Sequence, residues 1–535
     1  MWAMVLITIG IYAVVIAVFY LSYVHYKYAY VQNVLMLMLL GVALHNLHGW
    51  QVFTKVVLWW LLPFQIVNLG FFIGFNYHFG IPKNPEKFKV RFNLLNGSLV
   101  IKNIRRGASI IGSAGSGKTE SVVYSFLKHF SQNQFTGVIH DYKDFEITEM
   151  AYPLFGKADI PFQIISFDDI HSRVNPIAPR YMTDEESVNE ISRVLLENLL
   201  EQRESIAMGS SKFFNDAVEG LLGGLIWKLK TEHAEYCTLP HLIATYQYLD
   251  TENLIHFLSS NYTSKAMADA FISGKDSERQ TAGVMGTLAN ALKKISTQRI
   301  FMALSADEVP LDINNPEHQS VVSIVNNPKF ETAYSPVIAT IMHTITKQMG
   351  TRGRPPSFIL MEEAPTIRLL NMHRIPATLR SYDIATIYVL QDKIQNDMMY
   401  GDKASRAILS NLSYQFFGKA NDPDTARYYE RFFEIVKRPT MSVSKGENTL
   451  NFDTRITKGE REVSKIRAEE FFRLKEGEFI AFADGKDKKA RFPKPNIVKG
   501  LPEPKFQIGD GAIKANFERI HLDVRKFLPL MLKKP

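Results

Sequence analysis

Residues 108–119 read Ala-Ser-Ile-Ile-Gly-Ser-Ala-Gly-Ser-Gly-Lys-Thr. Apolar Ala108, Ile110 and Ile111 lead into a complete G-x-x-x-x-G-K-T run, and Val122, Val123, Phe126, Leu127 and Phe130 follow at helical spacing. Strand, small-residue loop and amphipathic helix in that order are the context in which this motif binds phosphate. Small residues let consecutive backbone N–H groups converge on an anion at a helix N-terminus. Gly112, Ser113, Ala114, Gly115, Ser116, Gly117, Lys118 and Thr119 therefore form the candidate nucleotide cradle. In it Lys118 reaches the β- and γ-phosphates and the Thr119 hydroxyl faces Mg²⁺. A glycine-rich turn that binds nothing is the weaker reading, because strand, helix and full motif coincide.

From 107 onward short β-rich runs alternate with helical segments. The expected strands are 107–112, 136–140, 162–167, 320–325, 357–361, 384–390 and 414–418. Continuous apolar strands alternating with helices predict an α/β fold, a parallel sheet covered on both faces. The phosphate loop belongs at the carboxyl edge of such a sheet. The alternation stops between about 183 and 305, where Val188, Ile191, Val194, Leu195 and Leu199 begin a series of helical patterns. This predicts a mostly helical insertion inside the nucleotide-binding domain. Upstream, Asn96-Gly97 between the apolar runs of 90–103 predicts a hairpin. Downstream, 437–466 reads as a loop or exposed hairpin, 478–483 as a strand before an Asp484-Gly485 turn, and 516–532 as a weak helix.

The 535-residue chain is too long for one core, and its 46% hydrophobic and 22% charged content is that of a globular protein. A net charge of +8 favours an anionic partner, nucleic acid or acidic lipid. Cys237 is the only cysteine, which leaves no disulfide framework and no thiolate zinc site. The N-terminus differs from the rest. Residues 2–24 and 56–75 are uncharged stretches long enough to cross a bilayer, with Trp59 and Trp60 as interface anchors. A shorter apolar run at 34–44 leaves two or three spans open. No basic segment precedes the first run, which argues against a cleaved signal peptide. Lys83, Lys87, Lys89 and Arg91 follow the last span and place the downstream domain on the cytoplasmic side.

A second nucleotide motif is Phe358-Ile359-Leu360-Met361-Glu362-Glu363, an apolar strand ending in two carboxylates. Beside a phosphate loop it offers Glu362 to the metal and Glu363 to the attacking water. The alternative is that both merely cap the next helix. His140, His171 and His373 are scattered without H-E-x-x-H spacing, so metalloprotease chemistry is unsupported.

In sequence order, the N-terminal spans, the hairpin, residues 112–119, Asp141-Tyr142-Lys143, Asn175-Pro176, the helical insertion, Glu362-Glu363, Arg380, Gln391 and Asn421-Asp422 resemble the type IV secretion coupling proteins. These are the membrane-anchored ATPases of conjugative DNA transfer, and the resemblance runs to about residue 495. The chain departs from the pattern at Glu362, where Asp is usual, and at Tyr142, where Pro is common. The resemblance implies a RecA-like P-loop NTPase that assembles as a hexamer around DNA, with ATP and Mg²⁺ at subunit boundaries. It makes Arg380 an arginine finger, Gln391 a γ-phosphate sensor, and Arg106 a residue that reaches the nucleotide of an adjacent subunit. The implied division is a membrane anchor at 1–80, nucleotide-binding parts at 81–182 and 306–500, the insertion at 183–305 and a tail at 501–535.

The partners implied are further copies of the chain, single- or double-stranded DNA, a relaxase or other secreted protein, channel components and the bacterial inner membrane, crossed more than once. Candidate DNA contacts are Lys212, Lys265, Lys275, Arg279, Lys293, Lys294 and Arg299 in the insertion. A second set is Lys437, Arg438, Lys445, Arg455, Lys458, Arg461, Lys465 and Arg467. A coupling ATPase that recruits protein effectors without moving DNA is the alternative, since the same motifs serve both. A chromosome-partitioning translocase is disfavoured because no long linker separates spans from motor.

Overall fold

The computed structural model describes scattered positions between residues 30 and 51, then 54–79, 85–200, 210–445, 454–503 and 508–528. Residues 1–87 and 88–535 are two units. In the first, Thr54–Gly74 is the one helix among the described residues long and apolar enough to cross a membrane. It coincides with the expected span at 56–75, and Leu58, Trp59, Leu62, Ile66 and Ile73 are exposed on it. The expected span at 2–24 lies outside the described residues, and 34–44 is described only at isolated positions.

The second unit is built on a nine-stranded sheet in the order β13-β12-β9-β3-β8-β7-β4-β6-β5. Its strands are β3 (Ala108–Ile111), β4 (Thr136–Asp141), β5 (Phe162–Ile165), β6 (Val321–Val325), β7 (Ser357–Met361), β8 (Ile384–Leu390), β9 (Tyr414–Phe417), β12 (Glu478–Ala483) and β13 (Lys486–Arg491). The run from β9 to β5 is parallel throughout. The sheet is nevertheless mixed, which corrects the purely parallel expectation: β12 is antiparallel to β9, and β13 to β12. Asp484 and Gly485, at φ 50° and 77°, form the two-residue left-handed turn that a tight β12–β13 hairpin requires.

Strand alternation splits the apolar residues between two cores. Ala108, Ile110, Ile139, Phe358, Leu360, Ile387 and Val389 enter an aromatic-rich core with the helix Tyr124–Gln132 and the β1–β2 hairpin (Val90–Leu94, Gly97–Ile101). Ile111, Val138, Ile359, Met361, Tyr388 and Leu390 enter the opposite core, which the helical segment covers. Both faces being apolar explains why these strands read as unbroken hydrophobic runs. In the hairpin, Gly97 pairs Leu94, so the turn is Leu95-Asn96, one residue earlier than Asn96-Gly97. The cause is tertiary: Leu95 N–H donates to Arg491 O at 2.8 Å and the Asn96 amide to Lys489 O at 2.6 Å, which pins the turn on β13.

β10 (Ile435–Lys445) and β11 (Thr454–Ser464) pair antiparallel in a sheet of their own, within the stretch expected as a loop or exposed hairpin. Among the described residues between β5 and β6 the regular elements are all helical, from Pro179–Tyr181 to Gln298–Ala303. They share one core with the sheet, and Cys237 is buried in it as a small apolar residue, its thiol pushed up to about 12 by burial. A helix at Asp510–Phe527, earlier than the expected 516–532, packs on this segment through Phe517 against Phe301 and Phe527 against Tyr236, rings 4.9 Å apart in each case.

On β4, a Cβ at Gly137 would meet the Phe358 ring at 2.4 Å, and that ring stacks on Phe130 at 4.5 Å. Gly137→Ala is expected to cost about 1–3 kcal/mol by forcing the stack apart. Thermal unfolding measures it, and adding Phe358→Leu should restore part of the loss. An unchanged midpoint in Gly137→Ala would remove the close approach as its reason.

Candidate active site

Parallel register decides what meets at the sheet's carboxyl edge. Ile111 pairs Leu390, Met361 pairs Tyr388, and His140 pairs Met361. The residues just beyond these strand ends are Gly112, Gln391, Glu362-Glu363 and Tyr142-Lys143, and they converge.

The phosphate loop lies between Ile111 and a wide helical turn, Lys118–Val123, which continues as Tyr124–Gln132. Gly115 and Gly117 hold φ of 72° and 83°, where a side chain would be strained. A Cβ at Gly117 would also lie 2.9 Å from Gly477 N. Backbone bonds fix the loop: Ser113 N–H to Lys419 O at 2.8 Å, Gly112 N–H to Leu390 O at 3.2 Å, and Gly477 N–H to Ser116 O at 3.0 Å. Lys118 is buried, and its ammonium donates to the loop carbonyls of Gly112 and, at 3.3 Å, Ser113. Burial lowers its pKa, and the Glu363 charge opposes that shift. Among the described residues the buried Ser113 and Ser116 hydroxyls have no hydrogen-bond partner. Orphaned donors, a buried ammonium and glycines that leave the backbone bare fit a phosphate chain.

Glu362 and Glu363 are 1% and 3% exposed, so their charges must be met locally. Glu362 accepts from Tyr142 N–H at 3.2 Å and from the Lys143 ammonium at 3.4 Å. Glu363 accepts from the Gln391 amide at 3.0 Å and lies 3.5 Å from the same ammonium. Glu363 sits at φ 42°, ψ 51°, a left-handed position that costs a non-glycine residue about 1–3 kcal/mol. Beneath the pair, Asp141 is wholly buried and accepts from Thr148 N–H at 2.8 Å and its hydroxyl at 2.6 Å. Burial raises both Glu362 and Asp141, and the two repel each other. No three His, Cys, Asp or Glu side chains gather as a metal cage among the described residues. Oxygen donors from one or two carboxylates and a hydroxyl, completed by phosphate, are instead what Mg²⁺ takes. Thr119 and Glu362 carry oxygen donors of that kind.

Two expected residues stand apart. Arg380 is exposed, and Arg106 pairs with Asp484 at 3.3 Å. Both precede their strands, at the amino edge, and β8 alone separates the edges by about 20 Å. Within the chain neither meets the phosphate loop. Lys143 is the functional residue that the sequence left without a role; its position after a strand was visible, its bridging of two carboxylates was not. Among the candidate DNA contacts, Arg299 is tied to Asp168 at 3.1 Å, Lys294 to Leu199 O at 2.7 Å, and Lys465 to Asp487 at 2.7 Å.

Residues 181–490, more than half of the chain, match the family model of the type IV secretion-system coupling protein DNA-binding domain. No curated protein matches the chain by sequence. Among solved structures it is similar to the bacterial conjugative coupling protein TrwBdeltaN70 in an unbound form, with a TM-score of 0.61 at 11% identity over 80% of this chain and 93% of that one. The plasmid coupling protein TrwB in complex with the non-hydrolysable ATP analogue ADPNP gives 0.58 at 11% identity over 74% and 87%. The same protein with ADP and Mg²⁺ gives 0.58 at 12% over 74% and 88%. The α/β fold with its large mixed sheet and many helices is the one these structures share.

Because the folded chain raises the Glu362 pKa above its ordinary 4.5, the native state holds a proton that the unfolded chain releases. Stability of the metal- and nucleotide-free protein should therefore fall as pH rises from about 4.5 through the folded pKa. Glu362→Gln should flatten this slope, leaving the part that Asp141 contributes: its unfolding midpoint should exceed the parent's at pH 8 and approach it near pH 4.5. Parallel curves for the two proteins would show that Glu362 is not the strained group.

Proposed function

This chain belongs to the type IV secretion-system coupling proteins, and on that premise we propose that it is a membrane-anchored, hexameric ATPase that recruits a relaxase-bound DNA strand and helps move it through a secretion channel in conjugative transfer. The observation that carries the reading is the convergence of Lys118, Glu362, Glu363 and Gln391 at one sheet edge beside an orphaned-donor loop. The TrwB complexes with ADPNP and with ADP and Mg²⁺ support ATP and Mg²⁺ as ligands of the same fold. The anchor is residues 1–80, the RecA-like motor 81–182 and 306–500, with 183–305 as the inserted helical domain and 501–535 as the tail. The protein sits in the bacterial inner membrane with the motor in the cytoplasm.

In the reaction, residues 112–117 hold the phosphates with backbone N–H groups, and Lys118 leaves its loop carbonyls to neutralise the transferred phosphoryl group. Thr119 and Glu362 would hold Mg²⁺, which would supply neutralisation of the phosphate charge. Glu363 takes a proton from the attacking water, and the Gln391 amide fixes its orientation. Lys143 neutralises the carboxylate pair while the site is empty. Arg380 and Arg106 act on the nucleotide of the adjacent subunit.

Lys118→Ala should abolish hydrolysis, and Glu363→Gln should bind ATP without turning it over. Arg380→Ala should lose about 10³-fold or more in rate while still binding ATP. Mixing Arg380→Ala with Glu363→Gln, each inactive alone, should partly restore activity, because some interfaces then pair an intact Glu363 with an intact Arg380. No recovery despite co-assembly of tagged chains would end the finger assignment. Parental hydrolysis should also rise with added DNA, and a DNA-indifferent rate would favour the protein-effector alternative.

Full-length protein should remain with the membrane fraction through carbonate and high salt, as spanning helices do and peripheral proteins do not. Recovery of the intact chain in the supernatant would overturn the anchor.

A further inference from the structure

β4 and β7 run parallel side by side, and their ladder closes with Glu362 N–H donating to His140 O at 3.1 Å. The next rung of a parallel ladder would take Tyr142 N–H to the Glu362 carbonyl. β7 has ended by then, and Glu363 turns away in its left-handed backbone at φ 42°. Tyr142 N–H goes instead to the Glu362 side chain, at 3.2 Å from Oε2, and makes no other hydrogen bond among the described residues. A carboxylate oxygen thus fills the place of the missing carbonyl.

The two oxygens of Glu362 have partners of different kinds. Oε1 faces the Lys143 ammonium at 3.4 Å, and that ammonium also lies 3.5 Å from Glu363 and 3.7 Å from Glu146. A partly exposed ammonium on a flexible stem, with three carboxylates in reach, is a movable partner. The donor at Oε2 is part of the main chain and is held on both sides. Asp141 O, in the same peptide unit as Tyr142 N–H, accepts from Asn326 N–H at 2.7 Å. The Tyr142 hydroxyl donates to Glu331 at 3.0 Å and anchors the residue from its other end.

We infer that Tyr142 is a positioning residue: its main-chain N–H fixes the Glu362 carboxylate through Oε2 and leaves Oε1, which Lys143 can vacate, for Mg²⁺; the inference rests on the reading of Glu362 as the metal carboxylate. Partners that orient a ligating carboxylate act on metal affinity without touching the ion. The contact sets a condition on each residue. At position 142 a proline would have no N–H to give. At position 362 an aspartate would be shorter by one C–C bond, about 1.5 Å, and its carboxylate would fall beyond hydrogen-bond reach of that amide. The length of the glutamate and the free N–H at 142 therefore serve one contact, and neither has this use without the other.

The test measures how far Mg²⁺ tightens ADPNP binding to full-length protein in detergent, as the ratio of the affinities in Mg²⁺ and in EDTA, by titration calorimetry. Affinity in EDTA reports an intact fold and phosphate loop. Tyr142→Pro should cut the Mg²⁺ gain about tenfold or more. Tyr142→Ala keeps the N–H and should keep most of the gain. Asp141 lies in a strand, the extended backbone that a following proline requires. In a Glu362→Asp background the same proline should change nothing, because the contact is already broken. Where Tyr142→Pro also loses affinity in EDTA, a backbone ester in place of the Asp141–Tyr142 amide removes the N–H alone and should give the same loss of Mg²⁺ gain. An undiminished gain in the proline or ester protein overturns the inference, as does an equal loss in Tyr142→Ala or an equal effect of proline in both backgrounds. Glu362→Gln separates this failure from that of the underlying reading: it should lose most of the Mg²⁺ gain, and a full gain in it would overturn the metal role of Glu362 and the inference together.

Discussion

Three carboxyl groups, Asp141, Glu362 and Glu363, are buried where β4 and β7 end, and the structure around them is arranged to make that tolerable. Buried charge without partners costs several kcal/mol, so each group is met by something specific. Thr148 holds Asp141 with two hydrogen bonds, Tyr142 N–H and Lys143 hold Glu362, and Gln391 and Lys143 hold Glu363. One ammonium spans two carboxylates, which leaves the cluster short of positive charge. A shortage of this kind favours either a retained proton or a further cation, and it explains why burial drives Glu362 and Asp141 upward together. The register of β4 against β7 is what permits the arrangement. A one-residue slip would turn Glu362 into an apolar core and bring Met361 to the edge.

The same edge is tied to the helical segment. Asn198, near the end of the helix Glu185–Leu199, donates to Arg368 O and accepts from Arg368 N–H, both at 2.9 Å. The Arg368 side chain is 6% exposed and lies 3.1 Å from Glu197. Arg368 is only five residues beyond Glu363, whose left-handed backbone has little freedom to relax. A buried ion pair of this type adds little net stability, but removing one partner strands the other. Its consequence is geometric: the helix cannot shift relative to the segment that follows Glu363 without breaking three polar contacts. Glu363 also lines an open cavity of about 580 Å³ with Gln391, Arg368, Tyr142 and Glu331, so this joint is solvent-accessible.

Much of this was legible in the sequence where the physics is local. The strands β3, β4, β7 and β8 declare themselves because both sheet faces are covered, and the phosphate loop because its glycines precede a helix. The two glutamates follow an apolar strand, and Gln391 follows another. What escaped depends on contacts between distant segments. Lys143 gains its role only when β4 lies beside β7. Gly477 covers Gly117 only once β12 has turned antiparallel onto β9, a direction that no local pattern encodes. The Leu95-Asn96 turn moved by one residue because β13 captured its polar groups.

The position of the arginines follows from sheet geometry. In a parallel sheet every strand delivers its carboxyl end to the same edge, so residues just after strands gather and residues just before them gather about 20 Å away. Gly112, Lys143, Glu362 and Gln391 fall in the first group, Arg106 and Arg380 in the second. Arg106 is held there by Asp484, and neighbouring Arg105 by Asp383 at 2.6 Å. Bringing Arg380 to its own phosphate loop would mean unthreading β8 from the centre of the sheet. An arginine on that edge is kept from the phosphate cradle of its own chain by the length of the strand between them. The positive charge that one chain brings to the cradle is that of Lys118 and Lys143, because both follow strands and so arrive at the carboxyl edge.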